Sequence, residues 1–314
     1  MGPRGHGGPL ITEERLRSTD RPGPQSPGAW EILPAGPRPV APPPPRRRWR
    51  LSFALFAITC LTTSLVGGVA AGDVRQGLTY AAGIMTILLC HEFGHFLQAR
   101  RYGVPASPPY FIPMPLPPFG TMGAVILMRP GAASSRQLFD IAVSGPLAGL
   151  VPALLASGIG LRMSELVEVA TLDDASVVQL SEPLLLQWMT RLLVDVPEGY
   201  TLLLSPLAYA GWVGLFVTSL NLLPIGQLDG GHLVYTLLPR YAHRVSRLVL
   251  GAFVVVTVVG GYWHWTLLIL LLLMFGLRHP PVSRREPLGP ARTVIGWLTL
   301  ALFAIAFTPN PFPT

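Results

Sequence analysis

The chain has 314 residues, half of them apolar and only 12 % charged, with a mean hydropathy of +0.47. That composition excludes an ordinary soluble enzyme and describes a protein that lives in a bilayer. The formal net charge of +7 would suit a nucleic-acid partner, but every basic residue is an arginine and the arginines gather at the ends of apolar runs, the distribution that orients a membrane protein, so no nucleic acid is expected.

Residues 1–48 are rich in Pro, Gly and Arg and end in Pro42-Pro43-Pro44-Pro45-Arg46-Arg47-Arg48. Such a segment cannot bury a core and is expected to be a disordered or polyproline-like cytoplasmic tail. It has no apolar stretch of the signal-peptide kind, and its acids and scarce serines fit a transit peptide poorly. A bacterial inner membrane is therefore the expected location.

Apolar runs follow near 51–71, 78–101, 138–161, 201–223, 245–262, 263–277 and 293–308, several close to the roughly 20 residues that span a bilayer. The expected fold is an all-α polytopic membrane protein of about six to seven transmembrane helices, with the run at 263–277 a half-span or a full one. The integral domain is read as 49–308 with a catalytic core at 78–240, followed by a short tail at 309–314. Arg46, Arg47, Arg48 and Arg50 place the N-terminus in the cytoplasm. Threading forward, the arginine-bearing loops around Arg100, Arg129, Arg240 and Arg284 all fall on that side. The loop 162–200 falls outside, with seven acids (Glu165, Glu168, Asp173, Asp174, Glu182, Asp195, Glu198) against Arg162 and Arg191, and reads as a solvated face. Cys60 and Cys90 both lie in apolar runs and offer neither a disulfide framework nor a paired-cysteine metal motif.

The second run carries His91-Glu92-Phe93-Gly94-His95. Two histidines four apart share one helix face and can hold one Zn²⁺. Glu92 lies about 100° around the helix, beside the ion rather than on it, where it can act as the general base toward water. The alternative, a helix with two hydrogen-bonded histidines and a stray acid, fits a membrane span poorly, because three ionisable groups there are expensive without a function. His95 precedes Arg101 by six residues, about 9 Å of helix, which sets the metal just below the cytoplasmic surface.

A catalytic zinc needs a third protein ligand. His264 falls at the far end of the topology, His243 and His279 lie among surface arginines, Asp73 is in an external loop, and Asp140 starts the third span. Asp229 is the strongest candidate. It lies in Asn221-Leu222-Leu223-Pro224-Ile225-Gly226-Gln227-Leu228-Asp229-Gly230-Gly231-His232, at the depth of His95. There Pro and Gly break the helix, and broken backbone at that depth must line a cavity or be buried in protein. From the residues alone, Asp229 is equally a ligand or the cap of a helix starting near Gly231.

Taken in order along the chain, His91-Glu92-xx-His95, then Pro109-Tyr110-Phe111-Ile112-Pro113 with Phe119-Gly120-Thr121-Met122-Gly123-Ala124, then Ser144-Gly145-Pro146-Leu147-Ala148-Gly149, then Asn221-xx-Pro224-xxxx-Asp229-Gly230 resemble the site-2 protease family of intramembrane zinc metalloproteases, the type without PDZ or CBS domains. The resemblance covers residues 84–240. It implies that His91, His95 and Asp229 bind one Zn²⁺, that Glu92 is the catalytic base, and that Asn221 lies near the substrate or its oxyanion. It also implies single-span membrane proteins as substrates, cleaved within the bilayer. Gly145 and Gly149 read as ordinary close helix packing. Residues 105–128 read as a short re-entrant β-hairpin at the cytoplasmic face, which either accepts unwound substrate by strand addition or plugs the cavity mouth. The competing functions are an inactive membrane scaffold and a zinc transporter; the latter would need ligands along a whole path, and here they cluster at one depth.

Overall fold

The computed structural model describes residues 46–171, 179–275 and 279–313. The expected tail lies outside the described residues as far as residue 45, as do Asp173 and Asp174; residues 46–48 are already helical.

Three long helices open the described chain. α1 is Arg46–Ala71, α2 is Val74–Arg101 and, after the hairpin strands β1 (Tyr110–Pro113) and β2 (Thr121–Val125), α3 is Ser135–Arg162. Each end has a local cause. Asp73 accepts from the Arg75 amide at 2.9 Å at the start of α2, and Arg100 and Arg101 in its last turn suit the negative end of the helix dipole. α3 opens with a reciprocal cap in which the Ser134 amide donates to Gln137 Oε1 at 2.9 Å. α2 and α3 touch backbone to backbone: a Cβ on Gly94 would lie 2.5 Å from the Ser144 carbonyl. Where lipid supplies no hydrophobic drive between helices, small residues of this kind permit the approach that dispersion needs.

β3 (Glu165–Glu168), α4 (Leu184–Leu193) and β4 (Tyr200–Leu203) follow α3, with β3 and β4 paired antiparallel from Glu165↔Leu203 to Glu168↔Tyr200. The segment expected as a solvated acidic loop is therefore a small folded lobe. Its acids mask an apolar pattern, with Leu186, Met189 and Leu193 at helical spacing on the inward side of α4.

α5 (Pro206–Asn221), α6 (Asp229–Leu237), α7 (Ala242–Val259), α8 (Thr266–Phe275) and α9 (Pro290–Ala306) complete the described elements. α5 packs against α2 and α3 through Trp212, Val213 and Phe216, which share a cluster with Tyr80, Ile84 and Leu88. Among the described residues, three helices are long and apolar enough to cross a bilayer: Arg48–Val69, Ser135–Arg162 and Ala242–Val259. The expectation of six to seven spans is thus met only in part. The run at 201–223 is shared with β4, which leaves a 16-residue helix. The run at 263–277 gives its first residues to the 3-10 turn Trp263–Trp265 and leaves the 10-residue α8.

The expected hairpin is present, but it is not confined to the His95 end of the molecule. Ser52 and Thr62 of α1 donate to the carbonyls of Pro109 and Gly120, so the hairpin follows α1 for about 15 Å. Its tip is held by Tyr80 of α2, which donates to Phe119 O at 2.7 Å, and Tyr209 of α5, which donates to Pro118 O at 2.9 Å. Tyr80 sits 11 residues before His91, toward the opposite end of α2.

Candidate metal centre

α2, α3, α5 and α6 meet around His91 and His95. The two histidines lie one turn apart on the buried face of α2. His95 donates from Nδ1 to the Ile141 carbonyl of α3 at 2.7 Å, which fixes the ring and leaves Nε2 as the free lone pair. Ile141 lies in the turn ahead of Pro146, a residue without an amide hydrogen that cannot close the turn onto Ala142. The Ser144 hydroxyl donates to the same Ile141 carbonyl at 2.7 Å.

Asp229 arrives from a segment 134 residues away. α5 ends at Asn221, and the chain turns through Gly226 at φ 56° to restart as α6 at Asp229. The fold is tight enough that a Cβ on Gly230 would stand 1.9 Å from the Leu222 carbonyl; glycine alone fits there, and it sets the first turn of α6 directly on the end of α5. Asn221 and Asp229 therefore become neighbours. Leu228 occupies the N-cap of α6 and no side chain caps that helix. Asp229 is not the cap: its carboxylate turns to the imidazoles, in a first turn whose dipole favours an anion.

Asp229 Oδ2 lies 3.2 Å from His91 Nε2 and 3.2 Å from His95 Nε2, and the two nitrogens are 3.3 Å apart. A tetrahedral ion about 2.0–2.1 Å from each ligand holds its ligand atoms about 3.3 Å apart. The triangle is one face of such a tetrahedron, and its donor set of two imidazoles and one carboxylate suits Zn²⁺. Glu92 is buried in the same turn and interacts electrostatically with all three. Asn221 Nδ2 stands 3.4 Å from His91 Nε2.

The other candidates go elsewhere. Asp140 is held bidentately by Arg292 at 2.8 and 2.9 Å and accepts from Tyr102 at 2.5 Å. His243 faces Tyr235, and His264 packs beside Trp265 and Phe312. His279 stacks on Tyr235 and bonds to His232 at 2.5 Å.

Two features exceed what the sequence suggested. A Cβ on Gly145 would lie 2.1 Å from His95 Nε2, and one on Gly149 3.0 Å from His91 Cβ. These glycines do more than let helices touch, because the imidazoles themselves occupy the space. His232 also went unassigned, although it follows Asp229 by three residues and so shares its helix face.

A sequence model of peptidase family M50 matches residues 79–260. The chain is 30 % identical over 252 residues to a protein of Arabidopsis thaliana named probable zinc metalloprotease EGY2, chloroplastic, a match covering 76 % of this chain and 43 % of that protein. It is 36 % identical over 165 residues to probable zinc metalloprotease EGY1, chloroplastic, of Oryza sativa subsp. japonica, covering 50 % of this chain and 28 % of the relative. A third match, 29 % over 260 residues, is to probable zinc metalloprotease EGY3, chloroplastic, of Oryza sativa subsp. indica, covering 76 % and 43 %. The chain thus aligns with less than half the length of each of these relatives. Their names place them in chloroplasts, and the expectation of a bacterial inner membrane finds no support among them.

Proposed function

Because the chain belongs to peptidase family M50, we propose that it is a zinc-dependent endopeptidase of the membrane, cleaving peptide bonds within or near the transmembrane segments of single-span membrane proteins. The observation that carries this reading is the convergence of His91, His95 and Asp229 on one point, with a buried glutamate in the same turn.

In this reading the two imidazoles and the Asp229 carboxylate hold one Zn²⁺. When bound, the ion supplies Lewis-acid polarisation of a carbonyl and acidifies water. Glu92 takes the proton from the attacking water and passes it to the departing nitrogen. Asn221 offers its amide hydrogens to the oxygen on which charge develops. Ile141, through its carbonyl, keeps the His95 ring from turning. The substrate helix must unwind before a peptide bond can enter, since its own hydrogen bonds shield it. An edge of the β1–β2 hairpin is the place for the unwound strand to pair.

The same reading takes α2 across the bilayer. Its 28 residues reach about 42 Å, and its ionisable groups His91, Glu92 and His95 are buried in protein rather than exposed, as ionisable groups in a span should be. α5, α8 and α9 would bring the count to the six or seven expected.

The test uses the full chain in lipid nanodiscs with a single-span substrate. Glu92→Gln is expected to retain one zinc by elemental analysis while cleavage falls at least ~100-fold, the usual share of general acid–base catalysis. Zinc-dependent cleavage persisting in that variant would overturn the assignment of the base.

A further inference from the structure

α4 divides into three sectors of roughly 120° each. Leu186, Met189 and Leu193 face inward; a Cβ on Gly158 of α3 would lie 3.6 Å from both Met189 and Leu193. Gln187, Thr190 and Arg191 form a second sector, lining an open polar cleft of about 490 Å³ together with Glu182 and Asp195. The third sector is Leu184, Trp188 and Leu192, spaced i, i+4, i+8, and it is bare: these residues are 46 %, 52 % and 83 % exposed.

The depth of this bare stripe is set by Gly158. It lies four residues before Arg162, the last residue of α3, so the contact with α4 falls about 6 Å inside the end of a helix long and apolar enough to cross the bilayer. The exposed flank of α3 is itself apolar on the approach, with Val151, Leu155 and Ile159 all more than half exposed. α4 therefore rests at the boundary where acyl chains give way to headgroups, with its tryptophan at the level such rings favour. Its third sector is apolar and exposed like that flank of α3. A second copy of the chain is a poor occupant, because three side chains on a ten-residue helix offer far less than the roughly 800 Å² per partner of a stable interface.

We propose that α4 is an interfacial helix whose Leu184, Trp188 and Leu192 insert into the leaflet around the end of α3, seating the lobe on the bilayer with its polar cleft turned to water. A ten-residue helix with one apolar, one packed and one polar sector is the amphipathic arrangement that lies in the membrane plane. The proposal needs the membrane position of α3 and nothing of the proteolytic reading, so either can fail without the other.

The experiment places p-benzoylphenylalanine singly at positions 184, 188 and 192, at 187 and 191 as the water-facing comparison, and at 155 as the lipid-facing one. The full chain is reconstituted into phosphatidylcholine–phosphatidylglycerol vesicles, irradiated and analysed by mass spectrometry. Lipid adducts are expected at 184, 188 and 192 at a yield near that of 155, and at least ~10-fold lower at 187 and 191. Three outcomes would overturn the proposal: adducts between two copies of the chain, adducts within the chain to residues 172–178, or the same low lipid yield at all five lobe positions. Because each site is read against its neighbours on the same helix, a variant that misfolds stands out as one position departing from the pattern that the other four hold.

Discussion

At the residue scale, the metal centre depends on side chains that are present and on one that is missing. Gly145 has no Cβ, and the His95 ring fills the place one would take, within 2.1 Å of Nε2. Gly145→Ala should therefore push His95 off the point where the three ligand atoms meet. Zinc content by elemental analysis is expected to fall well below one per chain, while Gly158→Ala, whose added methyl meets only ordinary contacts at 3.6 Å, keeps it. Full zinc in Gly145→Ala would show that α3 can retreat from the site. In the sequence this residue looked like helix packing, because a small-xxx-small pair carries no record of what fills the space beside it.

At the element scale, the hairpin and the segment before α9 make separate claims. Val125 closes β2 and pairs with Tyr110, and Val125→Pro removes an amide from that strand without touching His91, His95 or Asp229. Cleavage is expected to fall at least ~10-fold with zinc content unchanged; unaltered cleavage would remove the hairpin from substrate binding. Ile126 falls just past the strand.

The segment between α8 and α9 is tied to the start of α3. Ser134 donates to Glu286 Oε2 at 3.0 Å, the Glu286 amide donates to Ser135 Oγ at 2.8 Å, and Arg284 pairs with the Glu286 carboxylate. The Arg284 hydrogen bond, aided by Ser134, holds the Glu286 carboxyl below its usual range. The stabilisation is present above the ordinary glutamate pKa and is lost as pH falls through the lowered folded value. Glu286→Gln should accordingly lower the melting temperature at pH 7 and converge with the native chain on acidification below about pH 4. A constant difference across that range would mean that the ion pair contributes nothing.

At the scale of the whole molecule, the ion would join parts of the chain that the fold only brings near. His91 and His95 come from α2 and Asp229 from α6, so a bound metal links the α2–α3–α5 bundle to the second half of the chain. A ligand that binds only the folded state stabilises by mass action, about 4 kcal/mol at a thousandfold excess over its dissociation constant. Chelation is expected to lower the unfolding temperature of the reconstituted protein, and added Zn²⁺ to restore it. An unfolding curve indifferent to chelator would deny the three residues a metal-linked role. The Asp140–Arg292–Tyr102 cluster, which joins the ends of α2, α3 and α9, supplies a metal-independent tie at the same end of the molecule, so global unfolding on chelation is not expected.

The sequence by itself determined the membrane composition, the helical bulk of the chain and the histidine pair, because these follow from short-range regularities: apolar run length, a four-residue spacing, and arginines at run ends. It also made the hairpin legible, through a proline-rich stretch between apolar residues. Only the tertiary structure decided that Asp229 turns to the imidazoles instead of capping α6. That choice is made by Gly230, which lets α6 start against the end of α5, and the contact is invisible along the chain. The depth of the hairpin tip, set by Tyr80 and Tyr209, and the folded lobe after α3 were likewise decided in three dimensions. In both, the deciding contacts join residues tens of positions apart, and one-dimensional periodicity carries no information about which distant surfaces meet.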